Sequence, residues 1–108
     1  MLVLFDQGTP VPIRPLLKGH TVRTAAKEGS DTLKNGDLLK VAEEAGYDVL
    51  LTPDKNMSYQ QNLRGRKIAI VVIGNAQWPS LRPHVERVVA AVYAAMPGSY
   101  IVVDILVK

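Results

Sequence analysis

Two aspartates stand where apolar segments of the chain end. Asp6 closes the run LVLF, and Asp54 follows the run VLLT after one proline. Parallel strands place their carboxyl ends at one edge of a sheet, and ligands bind there near the point where the strand order reverses. If the two runs form neighbouring strands, we expect the Asp6 and Asp54 carboxylates to lie a few ångströms apart.

The electrostatic repulsion between two carboxylates at that separation must be offset. Like charges about 4 Å apart repel by about 4 kcal/mol at an effective dielectric constant near 20. Either one carboxyl group is protonated or a cation lies between them. Oxygen ligands alone favour Mg²⁺ or Mn²⁺ as that cation. For each aspartate taken singly, the alternative is a turn or helix-capping role, which is common for Asp after a strand.

The composition excludes several classes of site and of cellular location. A chain of 108 residues corresponds to one domain, here residues 1–108. The absence of cysteine excludes disulfides, thiolate zinc sites and cysteine nucleophiles. The net charge of +3 permits contact with nucleic acid without requiring it. No apolar run approaches the roughly 20 residues of a membrane helix, and the N-terminus lacks the features of a signal peptide. We therefore expect a cytoplasmic protein with no membrane contact.

The elements that must position the aspartates alternate between strands and helices. Five segments are predicted as strands: 2–5, 20–25, 49–52, 67–74 and 100–107. Four segments are predicted as helices: 9–18, 37–46, 56–63 and 79–96. The nearly continuous apolar run of the fourth strand is typical of a strand buried on both faces. This order predicts an α/β fold, a three-layer α/β/α sandwich with a mostly parallel central sheet of about five strands.

Prolines and glycines set the expected helix ends. Thr9 is a predicted N-cap with Pro10 in the first helical position, and Pro15 is expected to shorten or distort that helix. Gly46 is the predicted stop of the second helix. Pro79 is expected to open the longest helix, whose apolar stripe runs as far as Met96.

Three stretches of the chain carry a resemblance to a known group of nucleases. LFDQGTPVPIRPLLKGHTV, GDLLKVAEEAGYDVLLTPDKN and IAIVVIGNAQW together resemble the PIN-like nuclease superfamily. The most similar members are a short bacterial branch catalogued as a domain of unknown function. The resemblance covers essentially the whole chain, and its most specific pieces are FDQGTP at residues 5–10 and TPDKN at residues 52–56.

The resemblance implies a metal-dependent endoribonuclease, a phosphodiester hydrolase. Such nucleases gather three or four acidic side chains around one or two Mg²⁺ or Mn²⁺ ions, which activate water and stabilise charge on the scissile phosphate. Asp6 matches the first acid and Asp54 the acid after the later strand. The family position for a middle acid falls on Asn35. Asp37 lies two residues on, about 200° around a helix, and could substitute for it if the helix begins at Asp37.

A cluster of basic residues follows Asp54. Its members are Lys55, Arg64, Arg66 and Lys67. A phosphate backbone that passes the metal would meet such groups, and a solvated surface helix is the alternative. His20 and His84 have no metal-binding spacing. Trp78 is expected to fasten the turn at Pro79 rather than to stack on a base.

The leading hypothesis is thus a Mg²⁺- or Mn²⁺-dependent ribonuclease, with the toxin role of a toxin–antitoxin pair added by the resemblance. This hypothesis admits three partners: RNA, an antitoxin protein and a second copy of the chain. The competing hypothesis is a PIN-like module without catalysis that binds RNA or a partner protein. The third carboxylate distinguishes the two hypotheses, because three acids that converge on one metal favour the enzyme.

Overall fold

The structure is a computed structural model that describes residues 1–24, 35–53, 67–75 and 77–105, with the backbone alone for residues 35–38. The strands are β1 (Leu2–Phe5), β2 (Thr21–Thr24), β3 (Val49–Thr52), β4 (Ala69–Ile73) and β5 (Tyr100–Val103). The α-helices are α1 (Asn35–Glu44), α2 (Trp78–Leu81) and α3 (Val85–Ala94). Two 3-10 helices cover Val11–Leu16 and Arg82–His84.

The strands form one sheet in the order β2-β1-β3-β4-β5, and all neighbouring pairs are parallel. From β1 the chain moves to β2 at one edge, whereas β3 leads through β4 to the other edge. The strand order therefore reverses between β1 and β3, which is where open α/β sheets bind their ligands. The register pairs Phe5 with Leu51, so the residues that follow these two strands are neighbours.

Side chains alternate between two hydrophobic clusters, one on each face of the sheet. Val3, Leu51 and Val71 point to the face that is covered by the Val11–Leu16 3-10 helix and α3. Leu4 and Leu50 pack on the other face with Leu39 and Ala42 of α1. Every residue of β3 and β4 is buried, as expected for strands covered on both sides. The fold is thus the predicted α/β architecture with helices on both faces.

Two of the connections between parallel strands differ in hand. The β1–β2 and β4–β5 connections pack on the same face of the sheet, through Ile13 and Val88 respectively. Along the sheet, however, they move in opposite directions. Two crossovers that pack on the same face have opposite hands if they move along the sheet in opposite directions. One of these two connections is therefore left-handed. About 98% of such crossovers are right-handed, which makes this an unusual feature.

Gly46 ends α1 as predicted. Its φ of +87° lies in the left-handed region, and the amide of Gly46 donates to the Glu43 carbonyl while the amide of Tyr47 donates to the Ala42 carbonyl. These two bonds form a Schellman motif, which satisfies carbonyls at the helix end. The motif turns the chain into β3, so that α1 runs antiparallel to the strands and begins at their carboxyl edge.

Prolines change the helices more than expected. The segment after Thr9 is a 3-10 helix over Val11–Leu16, with Pro10 before it. Pro12 lies in the first turn, where a proline is tolerated, whereas Pro15 lies inside the helix and lacks the N–H group that an α-helix needs there. The predicted helix 79–96 is divided into α2, the Arg82–His84 3-10 helix and α3. Pro83 causes this division, since its ring excludes a regular helical bond to the preceding turn.

Other boundaries also differ from the predictions. α1 begins at Asn35, two residues before the expected start, and β5 ends at Val103. Met96 lies beyond the end of α3 and is 68% exposed, so it is not part of the apolar stripe. The predicted helix 56–63 is outside the described residues. Within the described parts of the chain, no helix has the length and apolar character needed to span a bilayer.

We expect Gly46→Ala to lower the free energy of unfolding by about 1 to 2 kcal/mol, because a Cβ at positive φ is strained. No atom lies within 4 Å of the added Cβ, so the loss reports backbone strain without a steric clash. Urea denaturation measures the change, and Glu44→Ala on the exposed side of the same turn is the control. A neutral Gly46→Ala would contradict the left-handed assignment.

Candidate functional site

Asp6 lies at the point where the strand order reverses. It directly follows β1, and its amide donates to the Leu51 carbonyl over 2.9 Å. This bond extends the ladder between β1 and β3 by one residue and places Asp6 beside Thr52. Asp6 is half-buried. The carboxylate therefore stands at the carboxyl edge of the sheet, where the sequence predicted it.

The Asp6 carboxylate has a hydrogen-bond donor on each oxygen. The Gln7 amide donates to Oδ1 over 2.8 Å, and the Thr52 hydroxyl donates to Oδ2 over 2.8 Å. Donors on both oxygens define the plane of the carboxylate. An ionised carboxylate has about four lone-pair sites, so capacity remains for a further ligand. Asp6 is thus oriented and still able to coordinate a cation.

The turn after Asp6 is fastened to β3. The Thr9 amide donates to the Asp6 carbonyl over 3.1 Å, and the Thr9 hydroxyl donates to the Leu51 carbonyl over 2.9 Å. Gly8 has a φ of +87°, and a Cβ there would lie 3.3 Å from Pro53 Cγ. Thr9 therefore ties β1 to β3 and does not serve as the predicted helix cap; Pro10 precedes the 3-10 helix instead.

Asp54, the second predicted ligand, lies outside the described residues. In sequence it follows Thr52 by two positions, and two residues of chain span at most about 7 Å. The chain connectivity is compatible with a shared cation, and the shared site stays a prediction.

Asn35 and Asp37 both belong to α1. The helix covers Asn35–Glu44, so Asp37 is not its first residue and both candidates lie in its first turn. Two positions in one helix lie about 200° apart around its axis. The first turn of α1 is at the carboxyl edge of the sheet, the same edge as Asp6. The roles of Asn35 and Asp37 as ligands stay predictions, because only their backbone is described.

Lys67 does not border Asp6. It precedes β4 and lies level with Tyr47 in the register, whereas Asp6 lies level with Thr52. Five residues of strand correspond to roughly 17 Å, so Lys67 is at the opposite, amino edge of the sheet. Its amide donates to Glu43 Oε2 there. Lys67 is thus apart from Asp6 in the sheet, and its predicted contact with nucleic acid stays a prediction; Lys55, Arg64 and Arg66 lie outside the described residues.

The aromatic and histidine side chains have packing roles. Trp78 is half-buried and packs on the hydrophobic cluster beneath α3, in agreement with its expected role at the turn. The His20 ring lies against Tyr93 with centroids 4.5 Å apart, and its Nδ1 is 3.1 Å from the Met1 amino nitrogen. His20 is thus at the amino edge, far from Asp6, and serves the packing of β2 against α3.

Two open cavities occur away from Asp6. One of about 520 Å³ is lined by residues of the segment Arg14–Val22. The other, of about 480 Å³, lies between the Val11–Leu16 3-10 helix and α3 and is lined by Leu16, Val89 and Tyr93 among others. Neither includes Asp6 or Thr52 in its lining.

Among the side chains that the structure describes, no three His, Cys, Asp or Glu residues are grouped as a metal site. The side chains of Asp54, Asp37 and Asn35 are not among those described. The chain matches no known family model, and no curated protein or solved structure is significantly similar to it. The resemblance to PIN-like nucleases therefore rests on the sequence motifs alone.

Thr52 was not predicted as a site residue. It is fully buried at the end of β3, where the run VLLT changes from apolar to polar. The signal available for Thr52 was a hydroxyl at the end of one buried strand, combined with a carboxylate at the end of another. The sequence alone could not show that β1 and β3 are neighbours in the register that brings the two groups together.

We expect Asp6→Ala to lower the free energy of unfolding by about 1 to 3 kcal/mol, because the buried Thr52 hydroxyl loses its carboxylate acceptor. Asp6→Asn should cost less than about 1 kcal/mol, since the amide still exchanges hydrogen bonds with Thr52 and Gln7. Urea denaturation in the presence of a chelator compares the two variants. Equal stability of Asp6→Ala and the parent protein would show that the Asp6 contacts contribute nothing to the fold.

Proposed function

We propose that this protein is a Mg²⁺- or Mn²⁺-dependent endoribonuclease whose metal site is built on Asp6. The observation that carries the proposal is the Asp6 carboxylate itself. It is held by donors on both oxygens at the reversal of strand order between β1 and β3. An oriented carboxylate with open lone pairs at this position is suited to hold a cation.

The oxygen-donor set fits a hard divalent cation. Asp6 supplies a carboxylate, Asp54 is the second acid two residues after Thr52, and Asn35 or Asp37 would complete the set from the start of α1. Carboxylates and an amide carbonyl are ligands that Mg²⁺ and Mn²⁺ accept. When bound, the ion supplies an activated water and neutralises charge on the scissile phosphate. The protein's contribution is the fixed placement of these oxygens.

RNA as the substrate is supported by charge and by chain order. The net charge is +3, Arg64, Arg66 and Lys67 stand just before β4 in the sequence, and Lys55 directly follows Asp54. A cation next to Asp54 in the chain would contact a phosphate near the cleavage position. The toxin role, and with it an antitoxin partner, follows from the resemblance to PIN-like nucleases.

We expect the purified protein to cleave single-stranded RNA with Mg²⁺ or Mn²⁺ and to stop when a chelator is added. Asp6→Asn and Asp54→Asn should each reduce cleavage by at least about 100-fold, because each removes a charged metal ligand. Gel electrophoresis of a labelled RNA measures the rate.

Asp104→Asn is the matched control for these variants. It removes the same charge at the same sheet edge, but Asp104 follows β5, three strands from β1 and about 14 Å away. Its activity should equal that of the parent. Equal losses in all three variants would indicate a general effect of charge. No cleavage of varied RNAs by the parent with any divalent metal would favour the non-catalytic RNA- or protein-binding module.

We also expect Asn35→Asp to tighten Mn²⁺ binding, because it adds a negative charge at the start of α1, on the Asp6 edge of the sheet. Calorimetric titration of both forms tests this expectation. An unchanged dissociation constant would exclude Asn35 from the site and leave Asp37 as the remaining candidate in α1.

A further inference from the structure

We propose that Thr52 is a positioning residue that fixes the plane of the Asp6 carboxylate for metal binding. The inference rests on the proposed function for its metal-binding consequence. Its structural part, the control of the Asp6 orientation by the Thr52 hydroxyl, can be tested without any metal.

The contact is built into the core of the protein. Thr52 is fully buried, and its hydroxyl donates to Asp6 Oδ2 over 2.8 Å from the adjacent strand. A buried hydroxyl needs a hydrogen-bond partner, because its removal from water is otherwise unfavourable. Charge-assisted bonds to a carboxylate are shorter and stronger than neutral ones. This hydrogen bond therefore stabilises both the buried Thr52 hydroxyl and the Asp6 carboxylate.

Asp6 needs a second donor to have a defined plane. The terminal torsion of an aspartate is broad, with no sharp staggered minima. The Gln7 amide anchors Oδ1, and about that single point the side chain can still turn, through its χ1 torsion as well as through χ2. The Thr52 hydroxyl anchors Oδ2, which removes this freedom. The remaining lone pairs then face a constant direction.

Threonine is well suited to this task. Its β-branched side chain is stiff at χ1, so the strand backbone of β3 determines where the hydroxyl points. Its methyl group packs in a strand in which every residue is buried. Groups that hold a metal ligand in this way commonly change metal affinity by about 10- to 100-fold when they are removed.

Thr9 provides a control within the same junction. It is also buried, at 8% exposure, and its hydroxyl donates over 2.9 Å across the same pair of strands in the opposite direction. Its acceptor is the Leu51 backbone carbonyl rather than a carboxylate. Loss of the Thr9 hydroxyl should weaken the β1–β3 junction while the Asp6 carboxylate keeps both of its donors.

The experiment compares Thr52→Val, Thr52→Ser and Thr9→Val with the parent protein. Valine has nearly the shape of threonine without the hydroxyl, and serine keeps the hydroxyl without the methyl group. The first readout is NMR of the metal-free protein, through the χ1 couplings and the Cγ chemical shift of Asp6. We expect one Asp6 rotamer in the parent, Thr52→Ser and Thr9→Val, and averaged rotamers in Thr52→Val.

The second readout is the Mn²⁺ dissociation constant from calorimetry. Thr52→Val should bind Mn²⁺ about 10- to 100-fold more weakly, while Thr52→Ser and Thr9→Val should stay within about threefold of the parent. Thr9→Val should still have a lower melting temperature in chelator, which shows that loss of stability alone does not weaken the metal site.

The two readouts separate the failure of this inference from that of the proposed function. A single, unchanged Asp6 rotamer in metal-free Thr52→Val overturns the positioning role. Parent-like Mn²⁺ affinity in Thr52→Val, or an equal loss in Thr9→Val, overturns its consequence for the metal. If the parent binds no Mn²⁺ at all, the proposed metal site fails, and the rotamer measurement alone decides whether Thr52 orients Asp6.

Discussion

The parallel register between β1 and β3 is the constraint on which the site depends. Both strands are buried on both faces, so the alternation of apolar side chains gives little preference for one register over another. The polar groups at the strand ends are more selective. Asp6, Thr9 and Thr52 all form hydrogen bonds across this junction, and a shift by one residue would break these contacts and turn each side chain to the other face. Two of the groups that align the strands, Asp6 and Thr52, therefore also belong to the candidate site.

Much of the fold follows from local sequence. The apolar run of β3 and the turn at Gly46 have the predicted boundaries. A strand buried on both faces is recognisable as a continuous apolar run, and a left-handed helix end is recognisable as a glycine. Thr9 and Pro83 show the limit of local reasoning. Thr9 has the residue type of a helix cap, yet its hydroxyl bonds to Leu51, a contact 42 positions away in the chain. Pro83 signals a helix break that the apolar stripe of the segment obscured.

The strand order and the opposite hands of two crossovers are properties of the whole sheet, which short segments do not encode. For the candidate site, Asp6 was predictable as the end of a buried strand, whereas Thr52 required knowledge of which strands are neighbours. Lys67 lies level with Tyr47 rather than with Thr52 in the register of the sheet, and its position in the sequence could not show this.

The two edges of the sheet differ in how they use their charged groups. At the amino edge, Asp48 accepts a hydrogen bond from the Leu2 amide and Glu43 accepts one from the Lys67 amide, so these acids support the backbone. At the carboxyl edge, Asp6 accepts from a buried hydroxyl and is followed by a glycine turn that packs on Pro53.

The most direct test of the metal site is a crystal structure of the protein soaked with Mn²⁺, in which anomalous scattering locates the ion. The account predicts one Mn²⁺ that is bound by carboxylate oxygens of both Asp6 and Asp54, at about 2.1 Å as for comparable hard cations, with the Thr52 hydroxyl still on Asp6 Oδ2. Carboxylates of Asp6 and Asp54 more than about 8 Å apart could not share an ion with such short bonds. That separation, or Mn²⁺ bound only at another site, would contradict it.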